Sequence, residues 1–311
     1  MYLRVQSMNS QAPILCPDEL FSIRFAVVAP DAAQVNSMAM NDDLKTAGAF
    51  ANSWNNLPAG SVYTKDQFED WLSPLTQADV EGRTVLELGC GNGSLLFHMA
   101  DWHAANLEGV DLGDSVLSAR RNMTLQANPN WTVTQGDLTT FLGAPRDLVY
   151  SIGVIHHLKN PRSGFDAVVA NTRSGGRFHC WVYAREGNSV VVWIVDPIRK
   201  FVSHLPWWII KYFVATPLAV PFFFYARLLS ACRKFKSLKR LPLYAYCLWI
   251  SSREFAFFRH VAFDQLVTPR TVYLRRETIE EWLAKHPGVV QESIYVILRN
   301  GNSWKLGGVA K

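Results

Sequence analysis

One stretch limits the fold more than any other: Thr84-Val85-Leu86-Glu87-Leu88-Gly89-Cys90-Gly91-Asn92-Gly93-Ser94-Leu95-Leu96. It begins as an apolar run with β-branched members, which predicts a buried strand. Three glycines at every second position break the run. Ser94-Leu95-Leu96-Phe97-His98-Met99-Ala100 then predicts a helix opening at Gly93 or Ser94. A strand that turns into a helix over glycines brings bare backbone beside a ligand. The helix N-terminus adds N–H donors at the same place.

The spacing selects among ligands. A dinucleotide fingerprint needs G-x-G-x-x-G/A, and its third position falls here on Ser94. That disfavours an NAD-dependent oxidoreductase. The pattern present is Glu-x-Gly-x-Gly-x-Gly, over Glu87, Gly89, Gly91 and Gly93. It resembles motif I of the class I S-adenosylmethionine (SAM) methyltransferases. The resemblance implies that Glu87 and the glycine backbone face the methionine end of the cofactor.

The downstream segments alternate strand and helix periods. Asn106 to Asp111 reads as a short strand ending in a carboxylate. Nucleoside-binding sheets place a ribose acid at about this distance beyond the glycines, so Asp111, with Leu112 beside it, is assigned to the ribose. Asp114 and Ser115 are better placed than Asp111 to cap the helix running to Gln126. Trp131 to Gln135 alternates like a third strand, and Gly136-Asp137-Leu138 follows. The resemblance implies that Asp137 receives the adenine amino group and that the Leu138 N–H contacts the ring.

Asp147 to Ile152 reads as a fourth strand, followed by Gly153-Val-Ile-His-His-Leu158. By the same resemblance Ser151 and Gly153 lie near the cofactor, and His156 and His157 lie where substrate enters. Pro161 opens a helix expected to reach Arg173, with Ser174-Gly175-Gly176 stopping it and Arg177 to Tyr183 as strand five. Arg276 to His286 reads as a helix. Val289 to Arg299 and Ser303 to Ala310 read as strands joined at Asn300-Gly301, a hairpin signal.

The expected fold is therefore α/β: a doubly wound, mainly parallel seven-stranded sheet of the Rossmann-like methyltransferase type, binding its ligand at the C-terminal strand ends. A helical, aromatic-rich insert follows strand five. Residues 1–45 are expected to be a disordered N-terminal segment without a secretory signal. Residues 46–187 form the SAM-binding core, with Phe50 to Trp54 and Tyr63 ahead of a helix over Asp66 to Leu72 that folds towards the cofactor. Residues 188–265 form the insert, and residues 266–311 close the core.

The insert has a distinctive composition. From Pro197 to Ser252 there is no Asp or Glu, while Lys and Arg number nine. Aromatics crowd it, including Trp207-Trp208 and Phe222-Phe223-Phe224-Tyr225, and prolines 206, 217, 221 and 242 are expected to cut it into short helices. A membrane span needs about 20 apolar residues. The charge-free run Tyr212 to Ala226 is shorter and carries two prolines, so no span is expected. A surface-lying helix needs an apolar face and a Lys/Arg rim, which Pro221 to Arg240 supplies for an anionic membrane surface. The first reading of the insert is nonetheless a lid packed on its own domain, and the second a lid that also touches lipid. A basic aromatic stretch also suits single-stranded nucleic acid, but no nucleic-acid module is recognisable.

The formal net charge of +5 is modest, and the five scattered cysteines form no C-x-x-C. They read as reduced thiols in a reducing compartment. The location expected is cytoplasmic, with peripheral contact to the inner face of the membrane. No His/Cys cluster points to a metal.

The functional expectation is methyl transfer from SAM to a small, apolar or lipid-like acceptor. The sulfonium makes the methyl electrophilic, so the enzyme mainly aligns donor and acceptor and excludes water. His157 and His156 are the candidate bases for a hydroxyl or amine. The competing expectation is a non-catalytic SAM-binding or peripheral membrane module that keeps the cofactor site.

Overall fold

The computed structural model describes residues 63–311 and, ahead of them, residues 43, 44 and 46–48. The expected disorder of the N-terminal segment and the role given to Phe50 to Trp54 fall outside the described residues.

Helix α1 (Lys65–Leu72) starts at a capping box in which Thr64 and Gln67 satisfy each other's backbone N–H groups. The chain then alternates through β1 (Thr84–Leu88), α2 (Ser94–Ala100), β2 (Asn106–Asp111), α3 (Ser115–Met123), β3 (Trp131–Gln135), β4 (Arg146–Ile152), α4 (Pro161–Ala170) and β5 (Thr172–Tyr183). The strands form one seven-stranded sheet, ordered β3-β2-β1-β4-β5-β7-β6. β6 (Tyr295–Arg299) and β7 (Ser303–Val309) close it, and β7 runs antiparallel to both neighbours. Every other pairing is parallel. The order turns back between β1 and β4, the switch point beside which open α/β sheets bind ligands.

Each sheet face carries its own apolar layer. Phe68, Leu72, Leu96, Met99 and Met123 cover one face. Leu86, Val149, Phe165, Phe178 and Leu283 cover the other. Two local expectations are corrected. The helix from Pro161 ends at Ala170 rather than Arg173. Asn171 ties its side chain to the Phe141 and Ala167 carbonyls, and β5 already begins at Thr172, running through Ser174-Gly175-Gly176. The strand expected from Val289 begins at Tyr295, because Gln291–Ser293 forms a short 3₁₀ turn first.

Helices fill residues 189–267, between β5 and the C-terminal helix. They include α5 (Asp196–Val202), α6 (Thr216–Ala231), α7 (Tyr244–Ile250), α8 (Phe255–Val267) and then α9 (Arg276–Lys285). Pro206 and Pro242 stand at helix boundaries as expected, but Pro217 and Pro221 do not cut the region. Trp207 to Ala231 is one continuous helix of 25 residues, long and apolar enough by length and composition to cross a membrane. A π-helical turn explains the continuity past Pro217, and another precedes Pro197 in the helix before it. Val191–Val195 precedes Asp196-Pro197, and Ile210–Ala215 precedes Thr216-Pro217. A widened turn gives the proline ring room and absorbs its missing N–H. Thr216 supports the second turn by donating its hydroxyl to the Lys211 carbonyl at 2.9 Å.

The insert has its own apolar core, in which Ala219, Ala226, Leu229, Cys247, Ile250 and Phe258 are buried. Arg199, only 1% exposed, is held by Asp196, the Gln265 carbonyl and the Tyr273 hydroxyl.

Candidate active site

The glycine turn sits between β1 and α2. Gly89 and Cys90 both donate their N–H to the Val110 carbonyl, at 2.7 and 3.0 Å. This clamps the turn against the end of β2. Gly89 has φ of +86°, and a Cβ there would lie 2.5 Å from Val154 Cγ2. Both conformation and space therefore demand glycine. Asn92 Oδ1 accepts from the Ser94 N–H and hydroxyl, which fixes the start of α2.

Two acids flank the turn. Glu87 is 1% exposed and accepts the Tyr150 hydroxyl at 3.0 Å. Burial pushes its pKa up to about 8, and the nearby Asp111 charge adds to the rise. The Tyr150 hydroxyl and the Leu96 N–H work in the opposite direction. None of these influences is a cation, so Glu87 suits a positively charged ligand. Asp111 is bonded on both oxygens. Oδ2 takes the Gly91 N–H at 2.8 Å, and Oδ1 takes the Gly113 N–H at 3.0 Å and the Ser115 hydroxyl at 2.9 Å. Asp114, expected to cap α3, makes no side-chain capping bond.

A cavity of about 470 Å³ opens beside the turn. Glu87 and Gly89 form part of its floor, and Trp71, Trp181 and Tyr183 stand around them. Its roof comes from the insert, with Phe222, Tyr246, Trp249 and Phe257 among the lining side chains. Gly153 also lines the cavity, whereas Gly91, Gly93, Asp111, Leu112, Asp137, Leu138 and Ser151 lie outside the lining. The Leu112 carbonyl accepts from Gln135 Nε2 at 3.2 Å. Asp137 turns its carboxylate to the Thr139 N–H and hydroxyl, and Leu138 is buried. Ser151 is fully buried and donates to the Leu88 carbonyl at 2.7 Å, tying β4 to β1.

The two histidines differ from each other. His156 is fully buried against the Tyr183 ring at 4.0 Å, and its nitrogens have no hydrogen-bond partner among the described residues. Burial drives its pKa well below the usual histidine value, so it stays neutral. It is not at a cavity mouth. His157 lines the cavity, with Nδ1 at 3.0 Å from the Arg270 carbonyl. Burial pushes its pKa down to about 4 against the pull of that carbonyl.

The insert was expected to shape the substrate pocket, but the sequence did not single out which of its polar residues reach the cavity. His260 and Asp264 of α8 line it, as do Tyr63, ahead of α1, and Arg299 of β6. They stand far apart in the chain, so no local spacing could have gathered them. The i, i+4 interval of His260 and Asp264 was the one visible signal.

A family model described as a methyltransferase domain matches residues 86–178, from β1 into β5. Over those residues the chain is similar to the class I SAM-dependent methyltransferases. S-adenosylmethionine is the cofactor of that class. The methyltransferase segment is similar to a ubiquinone biosynthesis O-methyltransferase of Bordetella avium, 29% identical over 117 residues, covering 37% of this chain and 46% of that one. It is also similar to a tRNA U34 carboxymethyltransferase of Idiomarina loihiensis, 27% identical over 124 residues and 37% of each chain. The chain thus spans less than half the length of either relative. A magnesium protoporphyrin IX methyltransferase of Synechocystis PCC 6803 with bound SAH aligns over 81% of this chain and 84% of its own, at 16% identity and a TM-score of 0.46.

Proposed function

We propose that this methyltransferase moves the methyl group of SAM to a small, apolar or lipid-like acceptor held under the helical insert. One observation carries the reading: a single cavity joins Glu87 and Gly89 of the glycine turn to the aromatic side chains of the insert. Its floor suits the cofactor, because Gly89, packed against Val154, presents bare backbone to the cavity and Glu87 is a buried acid suited to a cation. Asp111, bonded to the Gly91 N–H beside the turn, is assigned to the ribose hydroxyls. Asp137 and Leu138 are assigned to the adenine, and the backbone around Ser151 and Gly153 to the cofactor's flank. Bound SAM supplies an electrophilic methyl group. The chain then aligns the acceptor and keeps water out, which accounts for a roof made mostly of rings.

Calorimetric titration with SAM tests the cofactor half, with Asp111→Ala expected to weaken binding by about tenfold to a hundredfold, the worth of a hydrogen bond to a charged group. An unchanged affinity would refute the ribose assignment. Release of S-adenosylhomocysteine on incubation with lipid extracts tests transfer. Tight SAM binding with no release would favour the non-catalytic reading.

The acceptor class gains support from the outside of the insert. Phe213, Phe224, Leu228 and Phe235 are each more than 60% exposed. Arg227, Arg233, Lys234, Lys236, Lys239 and Arg240 are exposed around them. Bare apolar rings within a cationic rim fit the surface of an anionic bilayer. Ala219, Ala226 and Leu229 pack the other flank of α6 into the insert core, so we read the helix as lying on the inner face of the membrane rather than crossing it. Neutralising Lys236, Lys239 and Arg240 is expected to weaken binding to phosphatidylserine vesicles about a hundredfold, at ≈ 1 kcal/mol for each charge. Equal sedimentation of both proteins with these vesicles would remove the membrane part.

A further inference from the structure

The cavity holds a polar pair that the transfer reading leaves unused. His260 and Asp264 lie one turn apart on α8, with Nε2 to Oδ2 at 3.2 Å, and both line the cavity. The other carboxylate oxygen, Oδ1, is shielded from solvent and has no hydrogen-bond partner among the described residues. An imidazole that donates Nε2–H to a carboxylate has a fixed tautomer, and its Nδ1 then carries the lone pair.

The pair shares one cavity lining with Glu87 and Gly89 of the glycine turn and with Tyr63. Burial holds the Tyr63 hydroxyl well above its usual value, and the charges of Asp264 and Glu87 add to the rise. Asp264 also acts on the Tyr183 and Tyr246 hydroxyls. Burial raises the Asp264 pKa above the usual carboxylate value, against the opposing pull of the His260 and Lys211 charges. Arg299, a cation in the cavity wall, is committed elsewhere: it pairs with Asp70 and stacks 4.8 Å from the Trp249 ring.

We propose that His260, oriented by Asp264, is the base that deprotonates a hydroxyl group of the methyl acceptor. The proposal rests on the methyltransferase reading and names the acceptor chemistry within it. As the acceptor oxygen attacks the methyl carbon, its O–H proton passes to His260 Nδ1 and an O–CH₃ bond forms. The S–CH₃ bond breaks, and its electron pair stays on sulfur. The products are a methyl ether, S-adenosylhomocysteine and an imidazolium paired with the Asp264 carboxylate.

The same groups argue against other acceptors. A carboxylate or phosphate acceptor would face Glu87 and Asp264 with Arg299 already paired. A neutral amine is nucleophilic without a base. A hydroxyl on an aromatic or otherwise apolar body needs the base and matches the rings around it. His157 is a poorer candidate, because general-base catalysis favours a pKa near the working pH and burial holds His157 near 4.

The test uses the full chain with SAM, catechol and a series of substituted phenols and anilines as probes. His260→Gln and Asp264→Asn, each checked for folding by circular dichroism, are expected to lower kcat with catechol at pH 7 by about a hundredfold or more. SAM affinity by calorimetry should stay unchanged. The loss should shrink as the pH approaches about 10, where a phenol ionises unaided, and shrink again with more acidic phenols. Undiminished kcat, or a loss equal at every pH and for every phenol, would overturn the proposal. So would an unmutated chain that binds SAM and methylates anilines but no phenol. If the unmutated chain failed to bind SAM, the methyltransferase reading would fall first and the base assignment with it.

Discussion

Glu87 sits where the requirements of folding and binding oppose each other. An unfolded glutamate ionises around 4.5, whereas burial holds this one near 8. Between those values the folded chain keeps a proton that the unfolded chain has released. Stability of the unliganded protein therefore falls as pH rises through that window. A cation bound beside Glu87 reverses the preference, because it favours the ionised carboxylate. SAM affinity is thus expected to rise from pH 6 to pH 9, with proton release on binding. In Glu87→Gln both dependences should flatten: the melting temperature without SAM should fall less between pH 5 and pH 8.5, and SAM affinity should be weaker at high pH. Isothermal titration in buffers of different ionisation enthalpy measures the proton count, and a pH-independent SAM affinity in the unmutated chain would contradict the assignment. Glu87 itself was legible in the sequence, because its interval to Gly89 is local and belongs to one strand and one turn. Tyr63 was legible only as part of the segment ahead of the first helix, and His260 and Arg299 not at all. The three reach the same cavity from separate segments, and only the folded sheet brings those together.

Among the elements, the strands of the parallel core could be read from the chain and the long helix of the insert could not. Each core strand is a short apolar run bounded by turn residues, so its period survives in the sequence. In the insert, Pro217 and Pro221 signalled breaks, but the π-helical turn over Ile210–Ala215 carried the helix past the first of them. Pro221 remains inside α6 and lacks the N–H that would pair with the Pro217 carbonyl. Pro221→Ala would restore that donor without adding bulk, at a net gain of about 1 kcal/mol for one hydrogen bond. The expected result is a melting temperature higher by roughly 2–4 °C. Because Pro221 also lines the cavity, the acceptor KM should change as well. An unaltered or lower melting temperature would mean that the widened turn already satisfies the carbonyls in question.

At the scale of the whole molecule, roof and floor of the cavity are separate apolar units, and their alignment depends on a few polar ties. Arg299 is the most central of these. It extends from β6 at the sheet edge, forms an ion pair with Asp70 of α1 and lies over Trp249 near the end of α7. One side chain thereby joins the sheet, the helix over the glycine turn and the insert. Lys305 of β7 also reaches Asp70, at 3.4 Å, so Asp70 would keep a partner if Arg299 were replaced. Breaking a fully buried ion pair costs about 3–5 kcal/mol. Here Asp70 is 37% exposed, and a smaller loss of roughly 2 kcal/mol is expected for Arg299→Gln, lowering the melting temperature by several degrees. The more telling effect is kinetic. The SAM floor is held by β1, β2 and the Asp111 bonds, none of which involves Arg299, so the Kd for SAM should be unchanged. The roof over the acceptor loses its tie to the sheet edge, so the acceptor KM should rise. A variant that loses SAM affinity in parallel with acceptor affinity would show that floor and roof form one mechanical unit.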